Sequence, residues 1–508
     1  MAGSTKVLIV GAGPTGLVLA LWLTRQGVPV RIIDKDDGPG ETSRAMAVQA
    51  RTLELYRQLD LADEVVAAGS PNPSFNLWVG GQRRAHVKFA EAGGDVTPYP
   101  FVLVYPQDEH ERLLVERLRR MGVEVERRTE LLDFRDDGER VLATLRQPDG
   151  GEETVEAEYL AGCDGASSLV RHRIGATFAG GTYPQVFYVA DVAIQGLEPA
   201  DEIHVALDSA DFVAVLSYGG GGRHRLIGTV RGERAEDRDA LTFDDISGEA
   251  IQHLGLSIDR VNWFSTYRVH HRVTDRFRGG RAFLVGDAAH IHSPAGGQGM
   301  NTGIADAINL AWKLAAVVNG EAADALLDSY EAERLAFARR LVETTDRVFA
   351  FASSDGTFAD FVRTRIAPFF ASTVFQIEAV REFMFRVVSQ TSLDYRHSPL
   401  SHGAAGDLRG GDRMPWTRID GSDNFAPFAD IGWQVHVYGA ASPELAAWCR
   451  ERSVPLHVFA WQESFASAGL VEDALYLVRP DTYVAVADAE GDVAAVAGYF
   501  DRAEFRTR

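Results

Sequence analysis

The sequence predicts an α/β protein in which a mostly parallel sheet is interrupted by an inserted, mostly antiparallel β-sheet and followed by another α/β unit. Three observations support this fold class. A strand, a glycine-rich or acidic turn and a helix follow one another near residues 11, 164 and 286. Short strands dominate between residues 187 and 270, and the texture changes at residues 398–413, which are rich in Gly and Ser.

The first of these segments has a dinucleotide-binding pattern. An apolar strand at residues 7–10 enters GAGPTG at residues 11–16, and a helix follows at residues 17–26. The first glycine permits the turn, the second admits a pyrophosphate, and the third lets helix and strand pack, as in Rossmann-like folds. A second strand at residues 30–33 then ends at an acidic residue placed to bind a ribose. The residues expected to contact the cofactor here are Gly11, Gly13, Pro14, Thr15, Gly16, Asp34 and Lys35.

The segment at residues 286–307 joins an acidic turn, a proline and a glycine-rich loop to a helix. Asp287 follows a buried strand and can accept a hydrogen bond from a ribityl hydroxyl group. The loop can lie flat against a ring, and the positive end of the helix expected from residue 302 would stabilise negative charge on a reduced flavin. A glycine-rich connection without a ligand remains the alternative. The expected contacts are Gly286, Asp287, Pro294, Gly297, Gly299, Met300 and Asn301.

The third segment again has an acidic turn, at residues 162–165, and a basic residue follows in the next helix. We expect Asp164 to contact the cofactor and to pair with Arg171. The alternative is that Asp164 caps the helix and Arg171 is a solvated surface charge.

These motifs resemble those of the class A flavoprotein aromatic hydroxylases. The resemblance rests on GAGPTG, CDGASSLVR, GDAAHIHSPAGGQGMNTGIADAINLAWKL and RAMAVQARTLELY, and it covers about residues 5–345. It implies FAD as the cofactor, NADH or NADPH as the electron donor, and O2 and an aromatic small molecule as substrates. It also implies that Arg44 and Gln107 contact FAD.

The resemblance further implies hydroxylation of a phenolic or polycyclic aromatic ring through a flavin C4a-hydroperoxide. Pro294 is expected to shape the oxygen-reacting side of the flavin, and Tyr218 and His224 are the candidates for taking the phenol proton. A Baeyer-Villiger or epoxidising oxygenase and a non-catalytic flavoprotein that binds aromatic ligands remain alternatives. The residues do not decide between NADH and NADPH, and a homodimer stays open.

Composition excludes several other classes. A net charge of -21 over 508 residues disfavours a nucleic-acid partner, and no apolar segment is long enough for a membrane span. The chain begins MAGSTKVLIV without a secretory signal, so we expect a cytoplasmic protein. Cys163 and Cys449 form no redox motif, and His290 and His292 lack a third ligand, so we expect no metal.

The predicted domains are a first part of the FAD-binding domain at 1–178, a substrate domain at 179–277, the FAD-binding return with a helical region at 278–395, and a C-terminal domain at 396–508. The last resembles the thioredoxin-like tail of many family members, with Cys449 in ordinary core packing. Residues 69–100 are expected to be loop-rich and 398–413 to be a linker. Alternation predicts that Phe212, Ala214, Leu216 and Tyr218 share one face of a strand that could floor an aromatic pocket.

Overall fold

The computed structural model describes residues 3–40, 45–207, 212–219, 222–230, 241–246, 249–292, 297–353, 378–502 and 505. Over these ranges the chain forms three large β-sheets and the helices that cover them. The strands, in chain order, are β1 (Gly3–Val10), β2 (Val30–Asp34), β3 (Ala47–Val48), β4 (Ser70–Asn72), β5 (Ser74–Val79), β6 (Gln82–Lys88), β7 (Val102–Val104), β8 (Val125–Arg127), β9 (Glu130–Asp136), β10 (Val141–Arg146), β11 (Glu152–Gly162), β12 (Phe178–Gln195), β13 (Ile203–Leu207), β14 (Phe212–Ser217), β15 (Arg223–Val230), β16 (Ser257–Thr274), β17 (Arg278–Gly279), β18 (Ala282–Leu284), β19 (His290–Ile291), β20 (His402–Ala405), β21 (Leu408–Arg409), β22 (Arg418–Ile419), β23 (Ser422–Asp423), β24 (Gln434–Tyr438), β25 (Leu456–Phe459), β26 (Leu475–Val478) and β27 (Val484–Asp488).

The helices are numbered in the same way. They are α1 (Pro14–Arg25), α2 (Ala50–Arg57), α3 (Ala62–Ala68), α4 (Phe89–Gly93), α5 (Gln107–Arg120), α6 (Leu169–Arg173), α7 (Glu249–His253), α8 (Gly299–Val318), α9 (Asp328–Ser353), α10 (Glu378–Val388), α11 (Pro443–Glu451), α12 (Glu463–Ser467) and α13 (Val493–Arg502). Within the described ranges, no helix is both long and apolar enough to cross a membrane.

The first sheet confirms the predicted α/β class. Its central order is β17-β18-β11-β1-β2-β8, and the pairs from β18 to β8 are parallel. The strand core at residues 7–10 is fully apolar and buried, as expected when both faces of a parallel sheet are covered. Helices α1 and α8 pack against each other in this core, which also contains Trp22 and Leu310.

The second sheet has the order β19-β16-β12-β15-β14-β13-β5-β6, and all of its pairs are antiparallel except that of β13 with β5. The prediction that residues 69–100 are loop-rich is wrong, because β5 and β6 extend this sheet across the segment. The predicted alternation in β14 is confirmed. Ala214 and Leu216 lie in one apolar cluster with Tyr218, whereas Val213 and Val215 lie in another on the opposite face.

The third sheet has the order β21-β20-β27-β26-β24-β25. Strands β24 and β25 are parallel and connected through α11, while β24, β26 and β27 pair antiparallel in turn. The predicted linker at residues 398–413 is wrong, because β20 and β21 belong to this sheet and β20 pairs with β27. Cys449 is buried in its apolar core, as predicted.

Candidate active site

Three turns of the first sheet meet at one edge. The parallel register aligns Val10 of β1 with Gly162 of β11, and Gly162 with Leu284 of β18. The carboxyl ends of these adjacent strands lead directly into the three turns singled out in the sequence. Open α/β sheets bind ligands at this edge, outside the carboxyl ends of their strands. The fold therefore brings together segments that are more than a hundred residues apart in the chain.

The glycine loop after β1 contains two crowded positions and one open position. Gly11 has a φ of +104°, and a Cβ there would lie 2.2 Å from the carbonyl oxygen of Cys163. A Cβ on Gly16 would lie 2.0 Å from the carbonyl oxygen of Gly11. A Cβ on Gly13 would meet no atom within 4 Å, and the backbone there is extended, with φ -74° and ψ -179°. Because neither packing nor strain requires glycine at Gly13, its missing side chain leaves room for a bound group.

Pro14 and Thr15 form the first turn of α1, at the positive end of the helix. Gly286 has a φ of +63°, and a Cβ on it would lie 2.8 Å from Thr15 Oγ1. A Cβ on Gly303 in α8 would lie 2.4 Å from the same oxygen. The start of α1, the acidic turn and α8 therefore approach as closely as only glycine permits.

Asp34 holds the glycine loop and retains acceptor capacity. Its Oδ2 accepts a hydrogen bond from the Ala12 amide at 2.5 Å, and its Oδ1 accepts one from the Asp36 amide at 2.9 Å. An ionised carboxylate has about four lone-pair sites, so a ribose hydroxyl could still be bound. The neighbouring Lys35 is exposed.

Gln107 is the first residue of α5. Its side-chain amide donates to Glu111 at 2.7 Å, and its backbone amide donates to the carbonyl oxygen of Ala45. Burial raises the pKa of Glu111, and Gln107 opposes this rise. The FAD contact expected of Gln107 remains a prediction.

The contact predicted between Asp164 and Arg171 is wrong. Arg171 donates to the carbonyl oxygens of Ala288 at 2.9 Å and Ala166 at 2.8 Å, so backbone groups satisfy it. Arg171 is also buried, which contradicts the solvated charge of the alternative, whereas Asp164 does accept from the first turn of α6 as that alternative expects. Asp164 Oδ2 accepts from the Val170 amide at 3.1 Å, whereas its Oδ1 is buried without a hydrogen-bond partner among the described residues. A ligand hydroxyl would satisfy this costly orphaned oxygen.

Asp306 on α8 supports the acidic turn from behind. The Oδ2 atom of this buried carboxylate accepts from the Gly286 amide at 3.1 Å and lies 2.6 Å from His290 Nε2. Its Oδ1 accepts from Arg334 Nε at 2.5 Å. Burial alone would raise the pKa of Asp306, but Arg334 and His290 hold it below its usual value. Asp306 is therefore an ionised anchor for the turn.

Asp287 belongs to the same turn but is exposed. Partial desolvation by the turn raises the pKa of the Asp287 carboxyl. The nearby His290 opposes this rise, and Asp306 adds to it. The hydrogen bond that Asp287 is expected to accept from a ribityl hydroxyl remains a prediction.

Asn301 uses its whole side chain to connect the loop at residues 297–301, which we call the cofactor loop, to the start of α2. Its Oδ1 accepts from the Gln49 amide at 2.9 Å and from Thr52 Oγ1 at 2.8 Å. Its Nδ2 donates to the carbonyl oxygens of Ala47 at 2.8 Å and Gly297 at 2.9 Å. A cofactor contact at this position would therefore use the backbone rather than the side chain.

The other loop residues are placed as follows. Gly297, Gly299 and Met300 are half-buried, and α8 begins at Gly299 rather than at the predicted residue 302. Arg44 and Pro294 lie outside the described residues. Among the residues that are described, no group of three or more His, Cys, Asp or Glu side chains could hold a metal ion.

These features fit a flavin dinucleotide. The open position at Gly13, the helix end behind it and the unsatisfied Asp164 oxygen suit a pyrophosphate and hydroxyl groups. A sequence profile described as an FAD binding domain matches residues 4–345, about two thirds of the chain. The chain belongs to the class A flavoprotein monooxygenases. FAD is the cofactor of this family, and this monooxygenase is an FAD-dependent enzyme of the aromatic hydroxylase type.

Relatives of this monooxygenase support the assignment. The chain is 39% identical over 420 residues to 6-methylpretetramide 4-monooxygenase from Streptomyces rimosus, covering 80% of this chain and 73% of the relative. The structure is similar to that of the anhydrotetracycline hydroxylase OxyS from Streptomyces rimosus, with a TM-score of 0.77, 28% identity and 98% of each chain covered. It is also similar to aklavinone-11 hydroxylase in a ternary complex with FAD and aklavinone, with a TM-score of 0.77, 27% identity and 98% of each chain covered.

In this monooxygenase the second sheet presents an apolar face to the flavin unit, which we define as the first sheet with the helices packed against it. Ala214, Leu216 and the buried Tyr218 form a cluster with Met46 and Val104. Met46 directly precedes Ala47, which Asn301 binds. The predicted face of β14 therefore lies against the segment beside the cofactor loop.

A buried ion pair borders this apolar face. Arg225 donates to Asp191 through two bonds of 2.7 and 2.8 Å, and its guanidinium lies 5.8 Å from the ring centre of Tyr218 and 5.7 Å from that of Trp263. Burial and Asp191 raise the pKa of Tyr218 to about 12, so it is protonated at neutral pH.

His224 lies on the opposite face of the second sheet. It pairs with Ser217, and its Nδ1 and Nε2 lie 3.0 and 3.2 Å from the carbonyl oxygens of Gly222 and Ala200. Since neighbouring residues of a strand alternate between faces, His224 cannot share the face of Arg225. This placement gives no support to the prediction that His224 acts on the substrate.

Sequence reasoning did not identify Asp306, Asp191, Arg225 or Arg334 as residues of the site. Asp306 is separated by 20 residues from the turn it supports. The available signal was a carboxylate within an otherwise apolar helix stretch, because such groups are rarely buried unless they are paired.

Proposed function

We propose that this chain is an NADH- or NADPH-dependent and O2-dependent hydroxylase of a phenolic or polycyclic aromatic compound. The observation that carries the proposal is the apolar face of Ala214, Leu216 and Tyr218 against Met46, next to the cofactor loop. Such a surface can hold an aromatic ring and exclude water. The names of the relatives agree, because they specify 6-methylpretetramide, anhydrotetracycline and aklavinone.

When bound, FAD would take electrons from the nicotinamide and activate O2 for transfer of one oxygen atom to the ring. The chain would orient the ring and stabilise its phenolate form. The Tyr218 hydroxyl is protonated at neutral pH and could donate a hydrogen bond to the phenolate oxygen. The guanidinium of Arg225 would favour the negative charge that develops on the phenol oxygen.

The cofactor residues are proposed in the same terms. Gly13 and the start of α1 would hold the pyrophosphate, Asp34 a ribose, and Asp164 and Asp287 the ribityl hydroxyls. The backbone at residues 297–301 would face the flavin ring. We also propose the predicted domain boundaries, with β5 and β6 added to the substrate sheet. The strand and helix order β24-α11-β25, then β26-β27-α13, supports a thioredoxin-like C-terminal domain.

The proposal is tested with the purified full chain. We expect a yellow protein with bound FAD whose NADH or NADPH oxidation under air is stimulated by aromatic ligands, with a product that gains one oxygen atom and keeps its ring. A colourless protein that does not take up FAD would overturn the proposal. A ring-expanded lactone or an epoxide would identify the alternative oxygenases, and FAD binding without oxygen uptake would identify a binding protein.

Tyr218→Phe tests the substrate role separately. We expect unchanged FAD affinity and a kcat at pH 7 reduced by at least about tenfold, since the hydroxyl that would stabilise the phenolate oxygen is lost. A kcat equal to that of the wild type would remove Tyr218 from the proposal. Ser217→Ala, on the opposite face of the sheet, is the matched control.

A further inference from the structure

The third sheet and its helices form the C-terminal unit, and one hairpin of this sheet has its tip buried inside the flavin unit. We define the hairpin tip as residues 479–483, the turn between β26 and β27. Arg479 has no exposed surface, and Asp481 and Thr482 are each 2% exposed. Thr482 has a φ of +66°, a strained value for a β-branched residue that the surroundings must enforce. The hairpin tip is therefore held by packing on all sides, unlike an ordinary surface turn.

The hairpin tip binds α8 and α9 through wholly buried charges. Arg479 donates to Glu333 at 2.6 and 3.0 Å and to Asp481 at 2.6 Å. Lys313 of α8 also donates to Glu333, at 2.8 Å. Burial would raise the pKa of Glu333, but Arg479 and Lys313 hold it far below its usual range. Two cations and two carboxylates therefore neutralise one another where the two units meet.

The same hairpin tip binds α2. The carbonyl oxygen of Asp481 accepts from Arg51 Nη2 at 2.8 Å, and that of Pro480 accepts from Gln58 Nε2 at 2.9 Å. Helix α2 follows the segment at residues 45–49, which Asn301 ties to the cofactor loop. The hairpin tip thus contacts α2, which follows the segment bound by Asn301, and α8, which contains Asn301 itself.

A short path runs from the hairpin tip to the acidic turn. Arg334, next to Glu333 on α9, donates to Asp306 and, at 2.8 Å, to the Tyr395 hydroxyl. The Tyr395 ring lies 4.4 Å from the ring of Tyr483 and 5.3 Å from the Arg479 guanidinium. Asp306 in turn holds the Gly286 amide of the acidic turn. Every step of this path is a packed or hydrogen-bonded contact between buried groups.

We infer that the hairpin tip is a positioning element of the FAD site, through which the C-terminal unit sets the geometry of the turn at Gly286 and of the loop at residues 297–301. This inference goes beyond the proposed function, because it assigns part of the cofactor site to a unit that carries none of the dinucleotide motifs. The C-terminal unit is then required for FAD affinity as well as for stability.

The test measures FAD affinity of the full chain. Flavin is removed from the wild type and from Arg479→Gln, Tyr395→Phe and Asp423→Asn, and the dissociation constant of FAD is determined by fluorescence titration well below each melting temperature. The absorption and visible circular dichroism of the bound flavin are recorded in parallel. Asp423→Asn is the matched control, because it breaks another ion pair between the same units, with Arg57 at 2.8 and 3.1 Å, that includes no residue of the hairpin tip or of the path to the acidic turn.

We expect Arg479→Gln to raise the FAD dissociation constant at least about tenfold, equivalent to about 1.4 kcal/mol of coupling, and to change the flavin spectrum. Asp423→Asn should lower the melting temperature but change the dissociation constant by less than about twofold. A folded Arg479→Gln protein with wild-type affinity and spectrum would overturn the inference. Should that variant not fold, Tyr395→Phe decides, because it removes only the hydroxyl that joins Arg334 to the path. Wild-type affinity in Tyr395→Phe would then overturn the inference, whereas a wild type that binds no FAD would overturn the proposed function instead.

Discussion

Carboxylates are used in opposite ways at the carboxyl edge of the first sheet and at the hairpin tip. At the edge, Asp164 keeps one buried oxygen without a partner among the described residues, and Asp287 is exposed. At the hairpin tip, Glu333 is wholly buried and accepts hydrogen bonds from Arg479, Lys313, Asn309 and Ser398. Both regions are rich in carboxylates, but only the first has acceptor capacity to spare.

The difference separates groups that bind a ligand from groups that hold the structure. A buried charge is tolerated only when partners offset its desolvation. A buried carboxylate whose hydrogen-bonding capacity is filled by protein groups therefore has a structural role. An acceptor left open in an otherwise well-bonded region carries a cost that a ligand can remove. The following predictions test this comparison from the largest expected effect to the smallest.

Glu333→Gln should have the largest effect on stability. The substitution preserves shape but leaves Arg479 and Lys313 buried without this carboxylate. Loss of one member of a buried ion pair costs about 3–5 kcal/mol. Urea denaturation of the variant and the wild type measures the change in unfolding free energy. A loss below about 1 kcal/mol, the value typical of an exposed pair, would show that the saturated carboxylate is not structural.

Acid should destabilise both units, because each contains a buried histidine that stays neutral in the folded protein but becomes protonated in the unfolded chain. Burial lowers the pKa of His110 in the flavin unit to about 4 and that of His436 in the C-terminal unit to about 3. The neighbouring His457 also lowers the pKa of His436. Because the folded pKa is depressed, stability is full above pH 6.5 and is lost as pH falls from 6.5 toward these values. The loss by pH 5 is about 2 kcal/mol for each group.

Denaturation at pH 7 and pH 5 measures this effect, and His436→Phe should reduce the difference between the two. The exposed His397 provides the control, since His397→Gln should leave the pH dependence as it is in the wild type. An equal pH dependence in His436→Phe and the wild type would contradict the assignment of this destabilisation to His436.

Asp287→Ala should weaken FAD binding by about 1–3 kcal/mol through the loss of a hydrogen bond to the cofactor. Because Asp287 is exposed and no described protein group depends on it, the stability of the apoprotein should not change. FAD titration and thermal unfolding of the apoprotein measure the two quantities. Unchanged FAD retention would remove Asp287 from the site, and a large loss of apoprotein stability would place it with the structural carboxylates.

Gly13→Ala should have a small effect on the apoprotein and should still impair FAD binding. The backbone at Gly13 suits an L-residue and its Cβ position is open, so the apoprotein should be unchanged or stabilised by up to about 1 kcal/mol. The methyl group would occupy the space assigned to the pyrophosphate. Gly16→Ala is the contrasting variant, because its Cβ would meet the Gly11 carbonyl oxygen and destabilise the fold itself. Normal FAD affinity in Gly13→Ala would show that the open space is not used.

The extent of sequence prediction differed between the elements. The segments at residues 11–16 and 286–287 were located correctly because glycine tolerance and apolar strands are local properties. Strands β5 and β6 were missed because their polar and charged residues, such as Arg83 and Lys88, suggest loops until a neighbouring strand completes the sheet. The predicted contact of Asp164 with Arg171 failed because the carbonyl oxygens that bind Arg171 become available only after the turns have folded together.

The sequence by itself determined the strand, turn and helix order around residues 11 and 286 and the face of β14 shared by Leu216 and Tyr218, because spacing along the chain encodes each of them. The resemblance of its motifs indicated the flavoprotein family. Only the tertiary structure decided that Asp306 supports the turn at Gly286, that His224 faces away from the flavin unit, and that Arg479 reaches Glu333 across 146 residues. Such contacts depend on how sheets and helices pack, and a charged residue looks the same in sequence whether its partner is water, a ligand or a distant buried ion.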